Sequence, residues 1–136
     1  MGLGAVGTSR QRRERTSLVD YTELVERYIA LWNEADAVRR SALIAQTFTE
    51  NARYQDPLMA GAGHAAINAL VQGVQAQFPG HTLRLARGVD GFGDRVRCSW
   101  ELVSEHGPVV VKATDFGVIV DGRLVEVTGF FDQVPA

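Results

Sequence analysis

Asp115 is a carboxylate in the middle of a segment that otherwise has the pattern of a buried strand. Residues 109–120 have the length and composition of a β-strand, and the side chains that share a face with Asp115 are mostly apolar. An ionised carboxylate in such surroundings is unfavourable unless it is paired, protonated or used in chemistry. Arg87 is the partner that the simplest strand register offers, two strands away on the same face. A protonated Asp115 would instead be a hydrogen-bond donor.

Two other side chains are candidates for proton transfer or hydrogen bonding to a ligand. Asp56 lies at the predicted end of a strand, directly before Pro57. An aspartate there can cap a turn or act as a general base. Tyr28 lies on the apolar stripe of the first predicted helix, where a tyrosine is commonly a core residue with one satisfied hydroxyl. The residues alone leave both interpretations of each side chain open.

An Asp-Gly pair at 121–122 defines how the last two strands meet. Between two strand-like segments it predicts a type I′ hairpin that joins residues 109–120 to residues 123–133. The predicted facing pairs are Ile119 with Leu124, Ala113 with Phe130, and Asp115 with Thr128. A β-bulge would shift this register beyond the point where it occurs.

The upstream segments continue the same two-faced pattern. Residues 81–89 and 95–104 alternate apolar and polar side chains, as expected of an antiparallel sheet with one face in the core. The inner face is predicted to carry Leu83, Leu85, Val96, Cys98, Trp100, Leu102 and Val111, with Arg87 and Asp115 in one inner row. The outer face is predicted to carry the alternating charges Arg84, Glu101 and Lys112.

The outer face of the last two strands is expected to be apolar instead of charged. The residues assigned to it are Val110, Phe116, Val118, Val125, Val127 and Phe131. Since a surface of this kind is too apolar for open solvent, we expect a homodimer that covers it.

Three helices are expected before most of the sheet. Asp20 begins the first helix, which runs to about Glu34, and Asp36 caps a second that ends near Thr47. A short strand over residues 52–56 comes next, followed by a helix over residues 64–78 with regularly spaced apolar side chains. The order of elements is therefore α-α-β-α-β-β-β-β, an α+β architecture whose open end forms a pocket.

The composition indicates one soluble domain. The chain has 136 residues, of which 46% are hydrophobic and 22% are charged. We expect a flexible extension over residues 1–17 and a single domain over residues 18–136. The extension is rich in arginine, so the remainder is acidic, which argues against a nucleic-acid surface. No segment has the pattern of a signal or membrane sequence, and we expect a cytoplasmic protein without membrane contacts.

The cysteine and histidine content argues against a metal site. Cys98 is the single cysteine, and an inward position among apolar neighbours predicts an inert thiol. The three histidines lie on separate elements without ligand spacing. His64 and Asp132 are expected to make structural hydrogen bonds in caps and turns.

These features together resemble the nuclear-transport-factor-2-like superfamily. The motifs that carry the resemblance are Trp32-Asn33, Phe48 with Ala52, and Phe131-Asp132, within roughly residues 18–134. The resemblance implies a cone-shaped, cystatin-like roll, in which three N-terminal helices pack on a curved, mostly antiparallel sheet. The superfamily includes ketosteroid isomerases, SnoaL-like polyketide cyclases, limonene epoxide hydrolases and many proteins without a known activity.

The resemblance to ketosteroid isomerases also implies a catalytic trio. Tyr28 matches the oxyanion-binding tyrosine of that family, Asp56 matches the aspartate that carries the proton, and Asp115 falls close to an aspartic acid that is kept neutral. A base and two donors are what an enolate requires. The implied activity is that of an isomerase or cyclase that needs no cofactor and acts beside a carbonyl of an apolar, steroid- or polyketide-like compound. The expected substrate-binding residues are Trp32, Tyr54, Met59, Trp100 and Phe130.

The sequence leaves two other functions open. A non-catalytic ligand-binding or dimeric interaction module could keep the same pocket. An epoxide hydrolase is less well supported, because the resemblance to that family requires an arginine where this chain has Ala113. Arg87 could substitute for that arginine from a neighbouring strand.

Overall fold

The computed structural model describes residues 21–135. The first helix, α1, covers residues 21–33 of that range. The other elements are α2 (Ala37–Thr47), β1 (Phe48–Gln55), β2 (Ala60–Ala62), α3 (His64–Gln77), β3 (His81–Leu85), β4 (Asp90–Phe92), β5 (Arg95–Ser104), β6 (Val109–Val120) and β7 (Arg123–Gln133). The predicted cap at Asp20 and the extension over residues 1–17 lie outside the described residues.

The strands form one curved sheet against which the three helices pack. The strand order is β2-β1-β7-β6-β5-β3, and β4 pairs with β5. All neighbouring strands are antiparallel except β1 and β7, which are parallel. The predicted α+β class and the mostly antiparallel sheet are therefore confirmed.

Polar side chains define where the first two helices end or begin. Asn33, at the end of α1, donates from Nδ2 to the Leu83 carbonyl at 2.8 Å and accepts from the Leu83 N–H at 2.8 Å. This pair of bonds ties α1 to β3, which is a structural reason for an asparagine after Trp32. Asp36 caps α2 as predicted, since its carboxylate accepts from the Arg39 N–H at 2.9 Å.

The hairpin of β6 and β7 has the predicted turn but a different register beyond it. Asp121 and Gly122 have φ values of 51° and 79°, as a type I′ turn requires. The predicted pair Ile119 with Leu124 is present, and a β-bulge then shifts the pairing between Val118 and Ile119. The pairs beyond the bulge are Ala113 with Phe131 and Asp115 with Gly129, so the predicted pairs with Phe130 and Thr128 are wrong.

This shift reverses the faces of β7 and corrects the predicted outer surface. Val127 is 2% exposed and belongs to the core, and Phe131 packs against that core. Val110 also packs against the core, near a second irregularity between β5 and β6. Phe130, in contrast, is 53% exposed and lies edge-to-face with Phe116 at 5.8 Å. These two phenylalanines are the aromatic pair of the outer face.

The predicted strand over residues 81–89 is shorter in the structure. β3 ends at Leu85, and pairing with β5 resumes only at Asp90, just beyond the predicted strand. Arg87 falls in the interruption and is exposed, so it does not join the inner row. The predicted charges of the outer face are in register, and Arg84 Nη2 lies 2.9 Å from Glu101 Oε1.

Candidate functional site

A cavity of about 470 Å³ lies between the helices and the inner face of the sheet. Its wall is mainly apolar, and a volume of this size is typical of small-molecule pockets. Four of the expected substrate-binding residues line it, namely Trp32, Tyr54, Met59 and Trp100. Phe130 does not, because the β7 register turns it to the outer face, and Phe131 takes its place in the wall.

Asp56 lines this cavity and also closes the turn after β1. Its Oδ1 accepts hydrogen bonds from the N–H groups of Leu58 at 2.8 Å and Met59 at 3.0 Å. Its Oδ2 accepts from the Tyr54 hydroxyl at 2.7 Å. The turn-capping interpretation of Asp56 is therefore visible in the structure, and the same carboxylate is also available at the cavity wall.

Tyr54 holds its proton in this environment. Burial raises the pKa of the Tyr54 hydroxyl, and the nearby Asp115 and Asp56 carboxyl groups raise it further. The hydroxyl is therefore a donor to Asp56. The Tyr54 ring lies against Trp32, with ring centroids 5.5 Å apart, so aromatic packing orients the residue that contacts Asp56.

Asp115 lies behind the cavity wall and is bonded to two donors. It is 4% exposed, and its Oδ2 accepts from the Tyr28 hydroxyl at 2.5 Å and from Trp100 Nε1 at 3.0 Å. Its Oδ1 is buried and has no hydrogen-bond partner within residues 21–135. Arg87, the partner considered from the sequence, is exposed and does not contact either oxygen.

Compared with water, the surroundings of Asp115 stabilise its neutral form relative to its ionised form. Burial raises its pKa to about 6, although the bonds from Tyr28 and Trp100 oppose the rise, and the Asp56 charge adds to it. Burial also raises the pKa of the Tyr28 hydroxyl well above its usual range, so Tyr28 stays protonated. Because Oδ2 already accepts two bonds, the proton of a neutral Asp115 belongs on Oδ1.

Gly129 is the point at which the two carboxyl groups converge. A β-carbon at this position would lie 2.8 Å from Asp115 Oδ1, 3.4 Å from Asp56 Cβ and 3.5 Å from the Tyr54 hydroxyl oxygen. The free oxygen of Asp115 is thus separated from the Tyr54–Asp56 pair by little more than the missing side chain. Asp56 lines the main cavity, whereas Tyr28 and Asp115 do not, so the trio implied by the resemblance is close together but not wholly on one wall.

Gly129 and Trp100 are neighbours of Asp115 that the predicted facing pairs do not identify. Gly129 faces Asp115 only because of the bulge, which the residue pattern does not locate. Trp100 is diagonal to Asp115, since Cys98 is its direct neighbour across the strands. Diagonal neighbours are within reach of an aromatic side chain, so this contact could have been inferred from the predicted register.

The remaining candidate residues have structural surroundings. His64 Nε2 lies 3.0 Å from the Phe48 carbonyl and 2.9 Å from the Thr49 carbonyl, which anchors α3 to β1. Asp132 accepts from the Thr114 hydroxyl at 2.8 Å on the outer face. Burial raises the pKa of the Cys98 thiol to about 12, which suits an inert thiol.

The described part of the chain has neither a cluster of metal ligands nor a helix suited to a membrane. Within residues 21–135, no three His, Cys, Asp or Glu side chains are arranged to hold a metal ion. None of the helices in that range is long and apolar enough to cross a membrane.

Comparison with known families agrees with the fold. The family described as the SnoaL-like domain matches residues 25–127. The chain belongs to the SnoaL-like family. It is thereby part of the nuclear-transport-factor-2-like superfamily, as the sequence motifs predicted. A search of curated proteins gave no match.

Solved structures show the same fold. A suggested isomerase of the SnoaL-like family from Agrobacterium tumefaciens C58 is 39% identical, with 85% of this chain and 99% of that chain covered and a TM-score of 0.80. A nuclear-transport-factor-2-like protein of unknown function from Mesorhizobium loti is 20% identical, with coverages of 86% and 94% and a TM-score of 0.66. A suggested ketosteroid isomerase from Kribbella flavida is 22% identical, with coverages of 86% and 81% and a TM-score of 0.65. The last two show the likeness of the fold alone.

Proposed function

We propose that this SnoaL-like protein binds an apolar carbonyl compound in its cavity and moves a proton beside the carbonyl without a cofactor. The observation that carries the proposal is the position of Asp56, the charged side chain on a mainly apolar wall and close to a second carboxyl group, Asp115, whose pKa is raised. Asp56 would take a proton from the carbon next to the carbonyl, which leaves an enolate. Where a double bond is conjugated with the enolate, return of that proton to the far carbon gives an isomer. Attack of the enolate carbon on an internal carbonyl opens the π bond of that carbonyl and closes a ring, and the acceptor oxygen takes the proton back from Asp56.

Asp115 is the proposed donor to the enolate oxygen. Tyr28 and Trp100 hold Oδ2, so the acid would present its proton from Oδ1, the oxygen without a partner. Oδ1 is shielded from solvent in this structure. The proposal therefore requires the Tyr54 and Asp56 side chains to shift when the substrate enters. In this arrangement Tyr28 acts on the substrate through Asp115 and is a positioning residue.

The experiment is a turnover assay with a panel of β,γ-unsaturated ketones. Asp56→Asn should reduce turnover by a factor of about 10² to 10⁴, the usual effect of losing a general base. Ligand affinity should change much less, because only the transition state uses the charge. Asp132→Asn is the matched control, since it alters a carboxylate on the outer face and should leave turnover unchanged. Absence of turnover by the parent protein across the panel would favour the binding module.

That rival function is supported by a specific observation. Every oxygen of Asp56 is used by the turn or by Tyr54, and neither Tyr28 nor Asp115 reaches the cavity. A protein that binds an apolar ligand without chemistry would have the same wall. The epoxide hydrolase alternative loses its support, because Arg87 is exposed and Asp115 is bonded to Tyr28 and Trp100.

We also propose a homodimer through the outer sheet face and a cytoplasmic location. Support for the dimer comes from Phe116 and Phe130, which are 45% and 53% exposed and adjacent on that face. Val127 and Phe131, which the sequence assigns to the outer face, lie inside the protomer and contribute nothing to this surface.

A further inference from the structure

The cavity wall carries negative charge only. Asp56 is the single charged side chain among the described residues that line it, and no lysine, arginine or histidine within residues 21–135 contributes to the wall. The second carboxyl group, Asp115, lies directly behind the wall beside Gly129. A ligand in this cavity therefore meets negative charge without a compensating cation.

The partners of Asp56 suit an ionised carboxylate. Two backbone N–H groups and the Tyr54 hydroxyl all donate to it, so each of its partners is a donor to a carboxylate acceptor. Oδ1 already accepts two bonds, whereas Oδ2 accepts one, from Tyr54, and has a further lone pair that can accept from a ligand. An ammonium group is a donor of the opposite charge, so it complements this site, whereas a carboxylate on the ligand would be repelled.

Aromatic side chains surround the same corner of the cavity. Trp32 and Tyr54 are in contact beside Asp56, with ring centroids 5.5 Å apart, and Trp100 and Phe131 line the wall with them. The faces of aromatic rings attract cations, and the attraction increases where water is excluded. A carboxylate next to such rings is an environment for a protonated amine attached to an apolar body.

We infer that this cavity selects apolar amines, binding a protonated amine at Asp56 more tightly than the neutral analogue and rejecting the anionic one. The inference rests on the proposed function only in taking the cavity as the ligand site. An amine at Asp56 occupies the proposed base, so apolar amines inhibit ketone turnover by competition if the protein is an enzyme.

Calorimetric titration of the full chain with three matched probes tests the inference. The probes are naphthylmethylamine, naphthylmethanol and naphthoate, which share an apolar ring system and differ in charge. At neutral pH we expect the amine to bind about tenfold more tightly than the alcohol, and the carboxylate about tenfold more weakly, for one charge interaction in a partly dry site. Asp56→Asn should remove the preference for the amine and keep affinity for the alcohol. Asp132→Asn is the control and should keep the preference.

The outcomes separate this inference from the proposed function. Equal affinities for amine and alcohol, or a preference that survives in Asp56→Asn, would overturn charge selection and leave carbonyl chemistry untouched. Failure of all three probes to bind would overturn both the inference and the cavity as a ligand site. Charge selection without turnover of any ketone would support the inference and count against the isomerase.

Discussion

The Tyr28 hydroxyl donates to Asp115 Oδ2 at 2.5 Å, which joins the first helix to the centre of the sheet across 87 positions of sequence. The bond is buried, and it determines which oxygen of Asp115 can carry a proton. Together with Trp100 it fixes the carboxyl group while leaving Oδ1 without a partner in the described part of the chain. The chemistry proposed for this protein depends on that asymmetry.

The first prediction concerns the charge of Asp115. Its pKa is raised by burial from 3.8 to about 6, so the folded state binds the proton more tightly than the unfolded state. The favourable contribution is complete below the unfolded pKa and is lost as pH rises through about 6. Asp115→Asn removes this loss, because an amide can accept from Tyr28 and Trp100 without a charge. We expect it to increase the free energy of unfolding at neutral pH by up to about 3 kcal/mol.

Chemical denaturation at pH values between about 4 and 8 measures this effect as the difference between variant and parent. The gain should shrink towards zero at the acidic end. Asp132→Asn serves as the control, because that carboxylate is exposed and its removal should change little. A variant that is clearly less stable than the parent at neutral pH would show that the ionised carboxylate is stabilising.

The second prediction concerns the hydrogen bond itself. Donation from Tyr28 lowers the pKa of Asp115, so Tyr28→Phe should raise that pKa above about 6. Carbon NMR titration of the aspartate carboxyl groups reports the value directly. Tyr21→Phe is the matched control, since the Tyr21 hydroxyl donates to the Gly93 carbonyl at 2.6 Å and does not contact Asp115. An unchanged Asp115 titration in Tyr28→Phe would mean that the bond has no electrostatic effect.

The third prediction concerns the space at Gly129. A methyl group there would lie 2.8 Å from Asp115 Oδ1, which is too close for either group to stay in place. Because Tyr28 and Trp100 hold Asp115, we expect Gly129→Ala to lower the free energy of unfolding by about 1 to 3 kcal/mol. Gly73→Ala in α3 is the control, because a β-carbon added at Gly73 has nothing within 4 Å and alanine favours a helix. Equal effects of the two substitutions in thermal unfolding would contradict the close packing.

The fourth prediction concerns assembly. Phe130→Glu places a charge on the proposed dimer face and should yield monomers in analytical sedimentation. Val38→Glu is the control, since Val38 is 79% exposed and lies on α2, away from the sheet face. Val127→Glu would not serve, because Val127 is a core residue and a charge there should unfold the protomer. If the parent protein is monomeric at micromolar concentration, the proposed dimer is wrong.

Much of the fold was predictable because its signals are local. The bounds of β5, β6 and β7 follow from alternation between turn signals, and the Asp-Gly turn gave the correct first pair, Ile119 with Leu124. The bulge next to this pair cannot be predicted from the residues of β7. One extra residue turned Phe130 out and Val127 in, since successive side chains of a strand point to opposite faces.

The candidate site was predictable to a lesser degree. Asp115 was recognisable from its apolar neighbours, and Asp56 and Tyr28 were found through the resemblance. Their arrangement depends on where Gly129 lies and on which partner the Tyr28 hydroxyl selects. Both depend on packing between segments that are distant in sequence, and the spacing of residues along the chain does not predict that packing.

Proton abstraction at Asp56 can be measured without knowing the natural substrate. A β,γ-unsaturated ketone that binds the protein is placed in deuterated buffer, and NMR follows the replacement of hydrogen at the carbon between the carbonyl and the double bond. The parent protein and Asp132→Asn should catalyse this exchange at equal rates, and Asp56→Asn should slow it by a factor of about 10² to 10⁴. Exchange by Asp56→Asn at the parent rate, or no catalysed exchange of a ketone that is demonstrably bound, would contradict the assignment of Asp56 as the base.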